Sequence, residues 1–365
     1  MAHSAQHWLK QIKQLPIQEP IRILNVCGGH ERTITHSGIR SLLADQVELI
    51  PGPGCPVCVC PEEDIYQAIQ LALQEDITLA AFGDMLRVPV NVPKPEVRSL
   101  LDAQARGADI RPIASPLQAV EIAQQQDKPV VFFATGFETT TAPVAGMLSQ
   151  GIPENLFILL SGRLTWPAVA LLLEDEQPGF DALIAPGHVA TVMGPSDWNF
   201  VVDKHHYPTA IAGFNPDSLL ESIYSVVRQR LEHRVFLDNC YTSVVHPEGN
   251  LTAQQQLNQT MEISDANWRG IGSIARSGFQ LNKDYQAHDA GQQFPDYSKE
   301  HRKRAGDMPP GCDCAKVVLG KIYPNQCKLF GKACVPENPI GPCMVSDEGA
   351  CRIWWANGIR DQKSA

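Results

Sequence analysis

The chain has 365 residues, of which 44% are hydrophobic and 19% charged, a composition typical of a folded protein with two or three domains. Its formal net charge of −10 argues against a surface that binds nucleic acid or an anionic membrane. No apolar run approaches the roughly 18 residues of a membrane span. Residues 1–10 also lack the apolar core of a signal peptide, so we expect a cytoplasmic location and no membrane partner.

Short apolar, β-rich runs alternate with helical patterns through the first two thirds of the chain. The predicted strands are residues 21–26, 47–50, 79–82, 130–134, 156–160, 182–185 and 209–212. The predicted helices include residues 62–74, 95–106, 116–125, 166–174 and 216–233. Such alternation is typical of parallel sheets covered by helices. We therefore predict two Rossmann-like α/β domains, at residues 1–110 and 111–235, that face a common cleft.

Reactive residues follow nearly every predicted strand. The first strand leads into Cys27-Gly-Gly-His30, and the second into Pro51-Gly-Pro-Gly-Cys55-Pro-Val-Cys58. Later strands end at Gly83-Asp84, at Gly136-Phe-Glu138-Thr139-Thr140 and at Pro186-Gly-His188. Ligands of parallel α/β sheets bind beyond the carboxyl ends of the strands. We expect these groups to line one edge of each sheet.

Three thiols are candidates for chemistry in the predicted cleft. Cys55 and Cys58 form a Cys-x-x-Cys before a helix, where thiolates have lowered pKa values and attack disulfides or bind soft metals. Cys27 and His30 suit either a nucleophile with its base or two metal ligands. An acyl-transfer site would not need Cys55 and Cys58, so the three thiols favour a soft or low-spin iron centre. Core packing is the alternative for this pair, and it is our expectation for Cys60.

The loop after the fourth strand predicts a second kind of site. Gly136 allows a turn, and Thr139 and Thr140 in the first turn of a helix can offer hydroxyl and backbone N–H groups to a small anion. Ordinary helix capping is the alternative. Glu138 is a candidate acid, base or hydrogen-bond partner, and His188 is a candidate acid or base that a structural role would explain equally well.

Cysteines are concentrated at the two ends of the chain. Residues 236–310 are predicted to be a return and connecting segment, and 311–365 a small metal-stabilised unit with six of the 11 cysteines. An odd count in two groups indicates metal or redox chemistry rather than a disulfide scaffold. The wide spacing favours a 4Fe–4S cluster over an all-cysteine zinc site, which stays the alternative. Two of the six would be spare, and a spare pair could form a reducible disulfide that passes electrons to the cleft thiols.

The motifs, taken together and in order, resemble the HypD family of hydrogenase maturation proteins over nearly the whole chain. They are Cys27-Gly-Gly-His30-Glu31, Gly52-Pro-Gly-Cys55-Pro-Val-Cys58, Gly136-Phe-Glu-Thr-Thr140, Pro186-Gly-His-Val189 and the C-terminal cysteines. The resemblance implies assembly of the Fe(CN)2CO group of NiFe hydrogenases with a HypC-type chaperone and a HypE-type cyanide donor. Cys27 would be the principal thiolate of the mononuclear iron(II), shared with a HypC cysteine, and Cys55 and Cys58 would be iron ligands or redox partners.

The resemblance also implies a 4Fe–4S cluster at the C-terminus. The implied ligands are Cys314, Cys327, Cys334 and Cys351, with Cys312 and Cys343 spare; Cys312 in place of Cys314 is the alternative. No role is implied for Cys60 or Cys240. Such a protein would be an assembly factor rather than a conventional turnover enzyme, and a monomer when free. Two other classes remain open, a cluster-dependent thiol–disulfide reductase and a scaffold without chemistry of its own.

Overall fold

The computed structural model describes residues 4–93, 95–297 and 308–359. Its strands are β1 (Ile21–Asn25), β2 (Val47–Pro51), β3 (Thr78–Phe82), β4 (Ile110–Ile113), β5 (Val130–Gly136), β6 (Leu156–Gly162), β7 (Ala182–Pro186), β8 (Thr209–Ala212), β9 (Leu237–Asn239), β10 (Met261–Trp268) and β11 (Gly272–Leu281). The α-helices are α1 (Ala5–Lys13), α2 (Gly28–His36), α3 (Ile39–Leu42), α4 (Pro56–Val59), α5 (Glu62–Gln74), α6 (Leu100–Ala105), α7 (Pro116–Gln124), α8 (Glu138–Ser149), α9 (Thr165–Leu173), α10 (Gly187–Met193), α11 (Asn199–Asp203), α12 (Pro216–Leu231), α13 (Leu251–Thr260), α14 (Ala290–Gln293), α15 (Cys314–Val318) and α16 (Ala350–Ala356). Short 3₁₀ helices lie at Gly83–Arg87, Pro195–Trp198, Lys283–His288, Pro295–Tyr297, Pro324–Gln326 and Pro342–Met344.

Two parallel sheets form the framework. The first has the strand order β2-β1-β7-β8-β9, and the second has the order β4-β3-β5-β6. Every neighbouring pair in both sheets is parallel. The central strand β5 is buried at every position, as expected for a parallel strand with both faces covered. The predicted α/β class with parallel sheets and a cysteine-rich C-terminal region is therefore confirmed.

The two sheets do not correspond to the two predicted domains, which were divided at residue 110. The chain forms β1 and β2 of the first sheet, then all of β3 to β6, and returns with β7 to β9. The return is fixed where β1 pairs with β7, for example Ile23 with Ala182. Local periodicity carries no information about such a distant pairing, so the division of strands could not be read from sequence alone.

All seven predicted strands are present, with ends within about two residues of the predicted ones. Two edge strands were missed. β4 contains Pro112, a residue that argues against a central strand but is tolerated at an edge, and β9 has only three residues. The helix predicted for 95–106 begins later, at Leu100, because the Ser99 hydroxyl accepts a hydrogen bond from the Asp102 N–H and caps it there.

Residues 236–310, predicted to be a return and connecting segment, contain regular secondary structure. They form helix α13 and the antiparallel pair β10–β11. The pair packs on the second sheet, where the Leu164 N–H donates to the Ser277 carbonyl at 2.9 Å. Trp268 at the end of β10 is 1% exposed. Residues 298–307 of the predicted connector lie outside the described residues.

A buried carboxylate fixes the C-terminal unit to the first sheet. Glu31, on α2, is 2% exposed, and its Oε1 accepts hydrogen bonds from Arg40 Nη2 at 2.7 Å and from the Trp354 indole N–H at 2.7 Å. The Arg40 guanidinium also lies 4.9 Å from the centre of the Trp354 ring. Helix α16, which carries Cys351, is thereby held against the helix that begins after Cys27.

The hydrogen bond from Trp354 to Glu31 should contribute measurably to the free energy of unfolding. Trp354→Phe removes a donor to a buried carboxylate, so we expect the free energy of unfolding to fall by about 1.5–3 kcal/mol in urea titrations followed by circular dichroism. Trp355→Phe on the same helix is the control, because Trp355 is only half-buried, and its expected loss is under about 1 kcal/mol. Equal losses in the two variants would contradict the proposed anchoring role.

Within the described residues, no helix combines the length and the apolar character needed to cross a membrane.

Candidate thiol and metal site

Four loops meet at the carboxyl edge of the first sheet. Strands β2, β1, β7 and β8 are neighbours in that order, and all run the same way. The residues that follow them are Cys55, Cys27, His188 and Phe214. The strand-end arrangement that the sequence predicts is therefore present in this sheet.

The two thiol loops lie in backbone contact because Gly54 has no side chain. The Gly28 N–H donates to the Gly54 carbonyl at 3.1 Å, and the Gly52 N–H donates to the Asn25 carbonyl at 2.8 Å. A Cβ on Gly54 would overlap the Cys27 backbone. The glycine thus permits the close approach of the Cys55 loop to Cys27.

Gly54→Ala is expected to force these loops apart. Since the obstructing atoms are backbone, we expect a loss of about 1–3 kcal/mol in unfolding free energy and a lower unfolding midpoint in urea. Gly83→Ala is the matched control, because no heavy atom lies within 4 Å of a Cβ built there. An unchanged midpoint in Gly54→Ala would show that the loops are not in contact.

Cys27 is partly buried, directly before helix α2. Burial, with a smaller contribution from the charge of the Glu348 carboxylate, raises the pKa of its thiol to about 12. A thiol with such a pKa stays protonated at neutral pH unless a cation favours the thiolate, and a bound metal ion does so. Glu348 lines the same cavity as Cys27.

Cys55 and Cys58 are joined by a disulfide and are both buried. Cys55 precedes the short helix α4, and the Cys58 N–H lies 3.2 Å from the Cys55 sulfur. Cys55 lines the cavity that contains Cys27.

His30 is fully buried behind Cys27. Its Nε2 lies 2.9 Å from the Ala212 carbonyl and its Nδ1 lies 3.2 Å from Asn25 Oδ1. Burial lowers the pKa of its imidazole to about 4. These contacts hold α2 against the end of β8; an acid–base role for His30 stays a prediction.

His188 is exposed at the start of α10 and stacks on Phe214, with ring centres 3.7 Å apart. Phe214 also packs against His30, at 4.7 Å. The three rings form a stack beside the Cys27 loop, since a Cβ on Gly29 would contact Phe214 at 2.9 Å. Sequence reasoning did not find Phe214, whose only signal is its position after β8.

Glu138 contributes to the second sheet rather than to the Cys27 cavity. Its carboxylate accepts hydrogen bonds of 2.7 Å from the Thr165 N–H and from the Thr165 hydroxyl, so it joins α8 to α9. Burial raises the pKa of Glu138 to about 7. Thr139 and Thr140 are partly buried in the first turn of α8, and Gly136 leaves the space that the Thr140 side chain fills.

Two further cysteines lie apart from this cavity. The Cys60 sulfur is buried 3.5 Å from the Ser161 hydroxyl, and burial raises the pKa of its thiol to about 12. Cys240 is partly buried next to β9, and its pKa is also raised by burial. For Cys60 these contacts agree with the predicted packing role.

A group of buried thiols occupies the C-terminal unit. The sulfurs of Cys314, Cys343 and Cys351 lie within 4.8 Å of one another. The Cys312 sulfur lies 3.4 Å from that of Cys314. Hydrogen bonds from the Cys314 and Cys351 thiols lower the pKa of Cys343. Several soft ligands at such distances fit either an iron–sulfur cluster or a zinc ion.

The other C-terminal cysteines lie at the margin of this group. Cys334 accepts a hydrogen bond from the Ile340 N–H at 3.3 Å, and the Cys327 sulfur lies 4.0 Å from the Gly311 carbonyl. A Cβ on Gly341 would lie 2.5 Å from the sulfurs of both Cys312 and Cys314, so a glycine lets the chain approach them. The structure thus brings Cys343, predicted as spare, into the central group.

Cys343 connects the two thiol sites. It lines the same cavity as Cys27, Cys55 and Glu348 while it contacts the C-terminal thiols. The second sheet reaches this region through Asp84, whose Oδ2 accepts a hydrogen bond of 3.3 Å from the Ser346 hydroxyl. Sequence reasoning missed Glu348, because a single acidic residue among cysteines has no spacing that marks it as part of a cavity.

The candidate site is a strand-end cavity lined by a free thiol and by one cysteine of a disulfide, next to a buried group of cysteines that could hold a metal ion. A family model described as HypD, the hydrogenase formation hypA family, matches residues 3–358. The chain belongs to this family, as its resemblance to the family motifs predicted.

Curated relatives match nearly the whole chain. It is 39% identical over 358 residues to the hydrogenase maturation factor HypD2 of Bradyrhizobium diazoefficiens, which covers 95% of this chain and 92% of the relative. It is 39% identical over 352 residues to the hydrogenase maturation factor HypD of Escherichia coli, covering 95% and 91%. It is also 39% identical over 342 residues to a putative hydrogenase expression/formation protein of Methanocaldococcus jannaschii, covering 92% of each chain.

Proposed function

We propose that this protein is a maturation factor for NiFe hydrogenases, on which the Fe(CN)2CO group is assembled. Two relatives that match this chain over nearly their whole length are named hydrogenase maturation factors. The observation that carries the proposal is the shared cavity, which is lined by Cys27, by Cys343 and by Cys55 of the Cys55–Cys58 disulfide.

The iron is the cargo of this site. Cys27 is the principal protein thiolate, and a cysteine of a HypC-type chaperone supplies a second. Cyanide and carbonyl ligands make iron(II) low-spin, for which soft thiolates are suitable partners. Cys55 and Cys58 bind the iron or exchange electrons with it once they are reduced, and a HypE-type protein delivers the cyanide.

The C-terminal thiols hold a resident 4Fe–4S cluster in this proposal. Cys327, Cys334 and Cys351 are ligands, with either Cys312 or Cys314 as the fourth. The contact between Cys314 and Cys343 favours Cys312, because it leaves Cys314 and Cys343 as an adjacent pair. When bound, the cluster supplies electrons one at a time.

The chain's own step is thiol–disulfide exchange. The Cys343 thiolate attacks one sulfur of the Cys55–Cys58 disulfide, and the other sulfur leaves as a thiolate that takes up a proton. Cys314 then attacks the mixed disulfide, so that Cys55 and Cys58 end as thiols and Cys314–Cys343 as a disulfide. An external one-electron reductant, acting twice, supplies the two electrons that, with two protons, return this second disulfide to thiols.

The test is an anaerobic preparation with the HypC-type chaperone, examined by iron analysis and infrared spectroscopy. Bands of iron-bound cyanide and carbonyl are expected after the cyanide donor is added. A protein that reduces a generic disulfide but never shows these bands is the thiol–disulfide reductase, the second candidate, which the Cys55–Cys58 disulfide favours. A colourless zinc-containing preparation would contradict the cluster.

We further propose that the protein acts in the cytoplasm and is a monomer until it binds the chaperone. Turnover by the purified protein with both partners separates an assembly factor that performs chemistry from a passive scaffold.

A further inference from the structure

The ring of Phe214 reaches along the carboxyl edge of the first sheet to the Cys27 loop. Phe214 follows β8, and strand β7 lies between β8 and β1. Even so, a Cβ on Gly29 would lie 2.9 Å from the Phe214 ring and 3.6 Å from the Cys27 sulfur. The Phe214 ring and the Cys27 thiol therefore border the same small space next to Gly29.

Several contacts fix the position of Phe214. The Thr33 hydroxyl, on α2, donates to the Phe214 carbonyl at 2.8 Å, and the Gly213 N–H donates to the Ser218 hydroxyl, on α12, at 2.7 Å. The Tyr241 ring packs edge-to-face against Phe214, with ring centres 6.3 Å apart. The ring is thus held from α2, from α12 and from the residues after β9.

The imidazole of His188 is oriented by this ring. It is exposed and stacks on Phe214, with ring centres 3.7 Å apart and the two planes 25° from parallel. Among the described residues, its ring nitrogens have no hydrogen-bond partner. A neutral imidazole has one N–H donor and one acceptor, so both are available to a bound molecule. Without the stack the imidazole would rotate, and ordering it again on binding would cost conformational entropy.

The loops that carry His188 and Cys27 are neighbours. Strands β1 and β7 pair in parallel, and the Val26 N–H donates to the Ile184 carbonyl at 3.1 Å. Adjacent strands lie about 4.8 Å apart, so the loops that follow them begin side by side. Since Phe214 lies against both loops, its ring can hold the His188 imidazole at a fixed place beside the Cys27 loop.

We propose that Phe214 is a positioning residue of the cargo-iron site, whose ring holds the His188 imidazole so that its N–H donates a hydrogen bond to a ligand of the iron at Cys27. This rests on the proposed function in one respect, that iron is carried at Cys27. A cyanide bound to iron is an anionic ligand with a free nitrogen acceptor, and hydrogen bonds to charged acceptors are the stronger ones. Holding the donor in place beforehand spares the entropy of ordering it.

The test uses the full chain, prepared anaerobically with the HypC-type chaperone and the cyanide donor. Phe214→Leu keeps an apolar side chain but removes the ring, whereas Phe214→Tyr keeps the ring. In Phe214→Leu we expect the infrared bands of iron-bound cyanide to shift in frequency and to appear about tenfold more slowly. Phe214→Tyr should restore both. His188→Ala should cause the same change, and adding Phe214→Leu to it should change the bands no further.

Two controls separate this effect from general damage. Phe200→Leu removes another partly buried ring that packs against a histidine, His205, with ring centres 6.2 Å apart, and it should leave the cyanide bands unchanged. The stack itself is checked without iron, by nuclear magnetic resonance of protein with isotope-labelled histidine. The His188 ring resonances should move in Phe214→Leu and stay in place in Phe200→Leu. Phe214→Met is the second replacement, so that a folding defect in one variant does not decide the result.

The outcomes are distinct. Wild-type bands in folded Phe214→Leu or Phe214→Met, or in His188→Ala, overturn the inference and leave the proposed function intact. An effect of Phe214→Leu that adds to that of His188→Ala also overturns it. A shift that Phe214→Tyr restores and that Phe200→Leu lacks supports it. Wild-type protein that never shows cyanide bands overturns the proposed function, and this inference with it.

Discussion

Cys27→Ala is expected to abolish the infrared bands of iron-bound cyanide and carbonyl. Cys27 is a free thiol that lines the strand-end cavity, whereas Cys55 in the same cavity is held in a disulfide. Without a thiolate, the cargo iron loses its principal protein ligand. Maturation of a NiFe hydrogenase should fall to background in the same variant, measured as hydrogen uptake in extracts that contain the other factors.

Cys240→Ala is the matched control for this experiment. Cys240 is also a partly buried free thiol, but it lies beside β9, away from the residues that line the cavity. We expect its bands and its maturation activity to equal those of the wild type. Bands of unchanged intensity in Cys27→Ala would contradict the assignment of Cys27 as the iron ligand.

Cys351→Ala is expected to reduce the iron content of reconstituted protein from about four atoms per chain to near zero. Cys351 is buried within 4.8 Å of the Cys314 and Cys343 sulfurs, and it is a ligand in both cluster assignments. The broad iron–sulfur absorbance should vanish with the iron. Because metal binding contributes to the folding of a small unit, the C-terminal segment should also become more sensitive to protease.

Cys343→Ala separates the cluster from the thiol pathway. If Cys343 is an exchange thiol, this variant keeps its iron, yet dithionite no longer reduces the Cys55–Cys58 disulfide. The thiols are counted by alkylation and mass spectrometry. Loss of iron from Cys343→Ala would instead make Cys343 a ligand, which its contacts with Cys314 and Cys351 also allow.

The strands and the thiol motifs could be predicted because their signals are local. An apolar run followed by a glycine-containing loop marks a buried strand and its carboxyl end, as at β1 with Cys27 and β2 with Cys55. The edge strands β4 and β9 were not predicted, because β4 contains a proline and β9 has only three residues. The hairpin of β10 and β11 was missed because its glycine-rich second strand resembles a loop.

The roles of individual polar residues were harder to predict from the sequence. His30 and Glu138 carry the residue types of acid–base groups, but both are fully buried, and their hydrogen bonds join secondary-structure elements. Whether a polar side chain lies in a cavity or holds two elements together depends on its neighbours in space. Glu348 shows the reverse case, in which a charged residue that no motif marks lines the thiol cavity.

The sequence by itself determined the α/β class, the two groups of cysteines and the family, since these depend on residue type, periodicity and motif order along the chain. Only the tertiary structure decided how the strands are divided between the sheets and which thiols meet. The pairing of β1 with β7 and the packing of α16 on Glu31 bring together residues far apart in sequence. Cys343 reaches the Cys27 cavity through such contacts, whose energies depend on three-dimensional packing and leave no local pattern.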